Sequence, residues 1–297
     1  MATVAVLGTG RMGSAMARAL AHGGTDLVLH NRTPERAEEL ANELGASVAG
    51  SAAEAAAAAD VAITMLADGT AVGSTWGGSD GLVAGARNGS VLVDMSTVPP
   101  ETLRRFEQPV RERGAGILDA PVSGSVGLAE SGRLTIMAGG EAADLERARS
   151  VLEMLASRIF HVGPLGSGHA LKLAVNAVIF SLNNGVSEAL VLAERAGIDR
   201  TLAYDVLASS AAGAPYLDYK RESFVSPDEA PLGFSLDLAA KDLRLITEMA
   251  DGLGVAMPQA HANQALIAEA SAHLGADRDF SAVASHLREL TKEGALG

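Results

Sequence analysis

The sequence predicts an α/β fold in which a doubly wound parallel sheet domain precedes an all-α C-terminal domain entered by a long helix. Three observations carry this prediction. Short apolar, β-branched runs alternate with helical patterns across the first half of the chain. A glycine-rich turn joins the first such run to the first helical pattern. Beyond a Gly/Pro-rich stretch at residues 163–168, the short apolar runs give way to helical spacing alone.

In chain order, residues 3–7 read as a buried parallel strand ending at Gly8, and residues 12–22 as a helix. Residues 26–30 read as a second strand, followed by an acidic helix at 34–44 that Thr33-Pro34 starts. The alanine run 52–59 predicts a helix. Residues 61–66 and 90–94 predict strands, 99–113 a helix, and 116–120, 134–138 and 159–162 three further strands. Residues 169–196 form one long helical pattern broken only by Gly185, enough for about 40 Å of helix at 1.5 Å per residue. Further helices are expected at 200–211, 235–253, 258–274 and 279–293. The acidic stretches 35–43 and 141–146 read as solvated helix faces.

The length of 297 residues fits two domains, drawn at 1–163 and 164–297. Apolar residues are 48% and aromatics 3%, so the core is expected to consist of Ala, Leu and Val. A formal net charge of −13 argues against a nucleic-acid partner, which needs clustered Lys and Arg. It leaves room for an anionic cofactor held by local cations and helix N-termini. The chain has no cysteine, which removes disulfides, thiolate metal sites and cysteine nucleophiles, and fits a reducing cytoplasm. The N-terminus lacks a basic targeting region, and no run of about 20 uninterrupted apolar residues suggests a membrane span. The expectation is a cytoplasmic protein with no membrane partner and no metal.

Gly8-Thr9-Gly10-Arg11-Met12-Gly13 has the pattern GxGxxG. An isolated match is weak among 33 glycines, but this one follows a strand and opens a helix. The first glycine permits the turn, the second lets backbone approach a pyrophosphate, and the third lets helix and strand pack closely. That context predicts a Rossmann-type doubly wound parallel sheet that binds a dinucleotide. Where the second strand ends, an acidic residue would bind the ribose 2′-hydroxyl of NAD. The sequence there is His30-Asn31-Arg32-Thr33. Arg32 offers a planar cation to a 2′-phosphate, with hydrogen bonds added by Asn31 and Thr33, so NADP is expected rather than NAD.

In the second half, Gly166-x-Gly168-x-x-x-Lys172-x-x-x-Asn176 places Lys172 and Asn176 one turn apart on a helix. Leu171, Leu173, Ala174, Val175 and Val178 surround them in sequence. A lysine against apolar surface has a lowered pKa suited to acid/base work; by spacing alone, a surface lysine beside an amide fits equally well. His161 reads as a satisfied core histidine, His169 receives no role, and Asp119 is expected to brace the Ser123 loop.

Taken together these residues resemble the β-hydroxyacid dehydrogenase family over nearly the whole chain. The resemblance rests on Val6 to Gly13, on Asp119-Ala120-Pro121-Val122-Ser123-Gly124-Ser125 with Gly127 and Gly132 to Gly140, and on the Lys172 region. Asp94-Met95-Ser96-Thr97 and Lys241-Asp242-Leu243 also match. It implies hydride transfer between NADP(H) and a small β-hydroxyacid or its semialdehyde or keto acid. Lys172 would be the general acid/base, Ser123 and Gly124 would hold the substrate carboxylate, and Asn176 would orient the substrate. Thr97, Leu66, Ala67 and Lys241 would contact the cofactor, and the chain would form a homodimer or homotetramer. Two residues depart from the family pattern: Ser125 replaces a second glycine, and Val175 replaces a polar amide. Imine reductases resemble the same architecture but usually carry Asp or Tyr where this chain has Lys172. A non-catalytic NADP-binding scaffold is the other alternative, and it would be expected to have lost the lysine.

Overall fold

The computed structural model describes residues 2–294; residue 1 and residues 295–297, the outer ends of the two expected domains, lie outside the described residues. In order the elements are β1 (Thr3–Leu7), α1 (Arg11–His22), β2 (Asp26–His30), α2 (Pro34–Leu44), β3 (Ser47–Val48), α3 (Ala52–Ala58), β4 (Val61–Thr64), α4 (Gly69–Trp76), α5 (Leu82–Gly85), β5 (Val91–Asp94), α6 (Glu101–Glu112), β6 (Gly116–Asp119), β7 (Val122–Ser123), α7 (Val126–Glu130), β8 (Leu134–Gly140), α8 (Ala142–Leu152) and β9 (Ala156–Gly163). After these come α9 (Ser167–Arg195), α10 (Arg200–Ser209), α11 (Pro215–Val225), α12 (Leu236–Leu253), α13 (Pro258–Leu274), a 3-10 turn (Phe280–Ala282) and α14 (Val283–Gly294). Every expected strand and long helix is present, with ends shifted by a few residues. The short helices α4, α5 and α7, the short strands β3 and β7, and the helix α11 were not anticipated.

The chain divides into two compact units between Lys172 and Leu173, inside α9. The first unit is built on one sheet of order β3-β2-β1-β4-β5-β6-β8-β7, with β9 beside β8. Strands β1 to β6 run parallel, and β8 is antiparallel to β6 and β7. Side chains alternate across a strand, and here both faces are covered. Val4 and Val6 of β1 enter one core with Met16 and Leu20 of α1 and Leu145 and Leu152 of α8. Ala5 and Leu7 enter the opposite core with Val72 and Trp76 of α4 and Leu103 of α6. This double burial is why the strands read as unbroken apolar runs.

Asp144 departs from the expected solvated acidic face. It is buried, its Oδ2 lies 2.6 Å from Arg111 Nη1, and its Oδ1 pairs with Arg147. Oδ2 also accepts from the Ile117 amide at 3.2 Å, which ties α8 to β6.

The second unit packs α9 from Leu173 onward, with α10 to α14, around a core that is more aromatic than expected. Seven of the chain's ten aromatic residues lie in this unit. Phe280 is its hub, meeting Phe180 edge-on at 5.9 Å, Phe234 at 5.5 Å and Tyr216 at 5.8 Å. By length and composition α9 is apolar enough to cross a membrane, although polar residues interrupt its apolar run. It serves here as the core helix of its unit. It buries Leu173, Phe180, Val186 and Leu190, and its amides bond to protein: Asn183 Oδ1 accepts from Tyr216 Oη at 2.7 Å and Asn184 Nδ2 donates to Asn263 at 3.1 Å.

Trp76 is the chain's single tryptophan and is fully buried in the first unit, so its fluorescence reports that unit's unfolding. Asp144→Ala removes hydrogen bonds to charged groups and is expected to cost the first unit about 1.5–3 kcal/mol. This would appear as an earlier urea midpoint in Trp76 emission; an unmoved midpoint would mean that Asp144 is solvated in solution.

Candidate functional site

Strand β1 pairs with β2 on one side and β4 on the other, so the chain reverses its direction of winding there. A crevice is expected at the carboxyl ends of such strands. A cavity of about 730 Å³ occupies it. Gly8 and Gly10 line it after β1, Asn31, Arg32, Thr33 and Arg36 after β2, and Met65, Leu66 and Ala67 after β4.

The glycine loop is built by close approach. Gly8 has φ 99°, and a Cβ there would lie 2.3 Å from the Met65 carbonyl oxygen. A Cβ on Gly13 would lie 1.9 Å from the Gly8 carbonyl oxygen, so only glycine lets α1 start this near β1. Gly10 differs: a Cβ there would meet nothing within 4 Å. It is the N-cap of α1 and supplies no side-chain oxygen to the first turn, which is the condition in which a helix start accepts an anion. Thr9 is buried and its Oγ1 has no hydrogen-bond partner. The open side of Gly10 and the orphaned Thr9 hydroxyl fit a dinucleotide. Arg11 is exposed at the helix start, and Met12 packs against the first unit's core.

After β2, the amide of Asn31 is committed to backbone rather than left for a ligand. Its Oδ1 accepts from the Thr9 amide at 3.2 Å and its Nδ2 donates to the Thr33 carbonyl at 2.9 Å, bracing the two crevice loops against each other. Arg32 and Thr33 are exposed. Arg36, which was not among the expected cofactor residues, joins them in lining the crevice. It is four residues beyond Arg32 and within the first turn of α2, and that spacing was a readable signal.

Ser123 ends β7, and Gly124 follows with φ 144°. Ser125 does not replace a glycine idly: its Oγ accepts from the Leu128 amide at 3.3 Å and caps α7. Lys172 stands half-buried in the second turn of α9. Its sequence neighbours are not uniformly buried: Leu173 is inside, whereas Leu171 and Val178 are exposed. Asn176, one turn on, is buried and donates from Nδ2 to Asp242 Oδ2 at 2.8 Å. Lys241 Nζ lies 2.9 Å from Asp242 Oδ1, a charge contact whose geometry is not that of an aligned hydrogen bond. Asp242 is thus the common partner of two expected site residues within the second unit.

Thr97 follows β5 and is half-buried. The residue before it, Ser96, accepts the Leu66 amide at 2.9 Å and so holds the loop beside the crevice. Asp119 does not brace the Ser123 loop. Its Oδ1 accepts from the Gly166 amide and its Oδ2 from the His169 amide, each at 2.7 Å, so it caps the start of α9 from β6. Burial pushes the Asp119 carboxyl above the ordinary aspartate range, with His169 and these amides opposing the shift. His161 is exposed rather than in the core; its Nε2 lies 2.8 Å from the Gly140 carbonyl. Among the described residues, no group of three or more His, Asp or Glu side chains is placed to hold a metal ion.

Residues 3–163 match the family model of the NAD binding domain of 6-phosphogluconate dehydrogenase. Residues 166–287 match that of the NAD-binding domain of NADP-dependent 3-hydroxyisobutyrate dehydrogenase. The chain is 36% identical to glyoxylate/succinic semialdehyde reductase 1 of Arabidopsis thaliana over 94% of its own length and 96% of the relative's. It superposes on 3-hydroxyisobutyrate dehydrogenase of Mycobacterium tuberculosis, solved with L-serine, with a TM-score of 0.84 at 34% identity, covering 97% of this chain and 99% of that one. Psf3, solved with NADP+ and 2-OPP, gives a TM-score of 0.88 at 26% identity over 96% and 99% of the two chains. With its sheet order, its glycine crevice and both halves matched, the chain belongs to the β-hydroxyacid dehydrogenase family, whose members are NAD(P)-dependent oxidoreductases acting on CH–OH groups.

Proposed function

We propose that this chain moves a hydride between NADP(H) and a small β-hydroxyacid or its semialdehyde, with Lys172 as general acid/base. The observation that carries the reading is Lys172 itself, half-buried, six residues into a helix whose start is fixed to the sheet by Asp119. A group that passes a proton must be held in place as well as have a suitable pKa.

The cofactor preference rests on Arg32 and Arg36. Both line the crevice beyond β2, and the end of that strand carries no acidic residue for a ribose hydroxyl. Two guanidinium groups suit a 2′-phosphate, and Psf3, with NADP+ bound, is a relative of this fold. The chain's charge of −13 does not oppose this, because charges more than about 10 Å away are screened at ordinary salt.

When bound, the nicotinamide supplies or takes the hydride. The chain's residues do the rest. In reduction the Lys172 ammonium donates a proton to the carbonyl oxygen as it gains negative charge. In oxidation the neutral amine takes the hydroxyl proton. Ser123 and Gly124 hold the substrate carboxylate and so fix the reacting carbon. Ser125, spent on capping α7, shapes the pocket without adding a charge. The substrate class follows the glyoxylate/succinic semialdehyde reductase relative: a small aldehyde or keto acid bearing one carboxylate.

Lys172→Ala is expected to lower kcat by about 10²–10⁴-fold on a panel of carboxylated aldehydes that includes glyoxylate and succinic semialdehyde. NADPH binding, followed by cofactor fluorescence, should change little. Turnover of a cyclic imine alone, or undiminished turnover by the variant, would sink the assignment. For the cofactor, Arg32→Ala combined with Arg36→Ala should cut kcat/KM for NADPH by about 10–100-fold, the equivalent of one or two charged hydrogen bonds. The NADH value should stay within threefold, and equal losses with both cofactors would remove the case for NADP.

A further inference from the structure

Asp94 and Asp119 sit opposite each other at the ends of the neighbouring parallel strands β5 and β6. Both are fully buried. Between them stands the His169 ring, also fully buried. Its Nε2 donates to Asp94 Oδ2 at 3.0 Å. Its Nδ1 faces Asp119 Oδ2 at 3.9 Å, beyond hydrogen-bond reach, while its backbone amide binds that same oxygen at 2.7 Å.

Asp94 gathers other donors on its remaining oxygen. Oδ1 accepts from Thr64 Oγ1 at 2.5 Å and from Ser96 Oγ at 2.8 Å. Trp76 Nε1 donates in turn to Thr64 Oγ1 at 3.1 Å, and the Leu66 amide to Ser96 Oγ at 2.9 Å. A continuous chain of hydrogen bonds, buried from Ser96 inward, thus runs from Leu66, in the wall of the cofactor crevice, through Ser96 and Asp94 to His169 in the first turn of α9. Lys172 lies three residues further along that helix and belongs to the same compact unit.

Burying polar groups is costly unless they are paired, and the bond from Nε2 to Asp94, together with the bond from the backbone amide to Asp119, ties this residue to two strands at once. We propose that His169 is a positioning residue for the reaction: the strut Leu66–Ser96–Asp94–His169 fixes the first turn of α9, and with it Lys172, relative to the loop that lines the cofactor crevice. The inference rests on the assignment of Lys172 as the acid/base. It assigns His169, Asp94 and Ser96 no contact with substrate or cofactor.

The test compares His169→Leu, His169→Gln, Ser96→Ala and the double variant His169→Leu/Ser96→Ala, with Lys172→Ala alongside. Steady-state kinetics and hydrogen–deuterium exchange are read for each. His169→Leu should lower kcat at least tenfold. His169→Gln, whose Nε2 can still donate to Asp94, should recover most of that loss. Residues acting through one strut are not independent, so the double variant should be no slower than the slower single variant. Exchange should quicken at least tenfold at the Leu66 amide in His169→Leu and across residues 166–172 in Ser96→Ala, each change being read at the far end of the strut.

The strut is overturned if His169→Leu keeps kcat within twofold, if the two losses multiply, or if exchange at the far end does not move. Should His169→Leu fail to fold, Ser96→Ala carries the test: exchange across residues 166–172 should quicken at least tenfold, and unchanged exchange there overturns the strut. If Lys172→Ala turns over like the wild type, the acid/base reading fails, and exchange alone still decides whether the strut exists.

Discussion

The closeness of α1 to β1 is the constraint on which the first unit depends. With a Cβ on Gly13 only 1.9 Å from the Gly8 carbonyl, the helix has no room to start here unless residue 13 is glycine, and the turn before it needs glycine at residue 8, whose φ is 99° and whose Cβ would lie 2.3 Å from the Met65 carbonyl oxygen. Once it starts there, its first turn opens on the crevice, its apolar face covers Val4 and Val6, and the sheet is wound outward on both sides of β1. Binding and folding thus share one requirement. A residue that filled the turn would displace the helix that covers the sheet as well as obstruct a phosphate.

A strongly acidic chain can still build an anion site because its charges are distributed by function. Acidic residues that are buried are answered locally: Asp144 by two arginines and an amide, Asp119 by two amides at a helix start, and Asp94 by three side-chain donors. Arg32 and Arg36 are left exposed where they line the crevice. Net charge governs the distant field, which salt screens, while the crevice is governed by the few groups that line it.

Much of this was legible in the sequence because the relevant information was contiguous. The glycine loop, Arg32 and the Lys172 to Asn176 pair are each confined to a few residues, and the apolar runs announced a sheet covered on both faces. Arg36 was also within reach, one turn beyond Arg32 on a helix already identified. Short helices such as α5, with four residues, are too brief to show a period. The aromatic hub around Phe280 could not be foreseen, since its members come from widely separated helices and loops. The same holds for His169. Its partners lie 75 and 50 residues back along the chain, and nothing in the spacing of Asp94 and Asp119 shows that they end adjacent strands. Asp144 defied expectation because acidic residues on a helix are usually solvated, and the arginine that most clearly contradicts this, Arg111, is on another helix.

The position of the unit boundary inside α9 bears on how autonomous the nucleotide-binding half is. Its last six residues, Ser167 to Lys172, are helix, and they bring the His169 amide and ring that two buried carboxylates use. Cutting the chain at the Gly/Pro-rich stretch, where a linker would normally be sought, would leave Asp94 and Asp119 buried without those donors. The half that resembles a free-standing module therefore completes itself with the opening turns of a helix whose greater part belongs to the second unit. The two halves are expected to be inherited, exchanged and expressed together, with α9 as the segment that neither can give up.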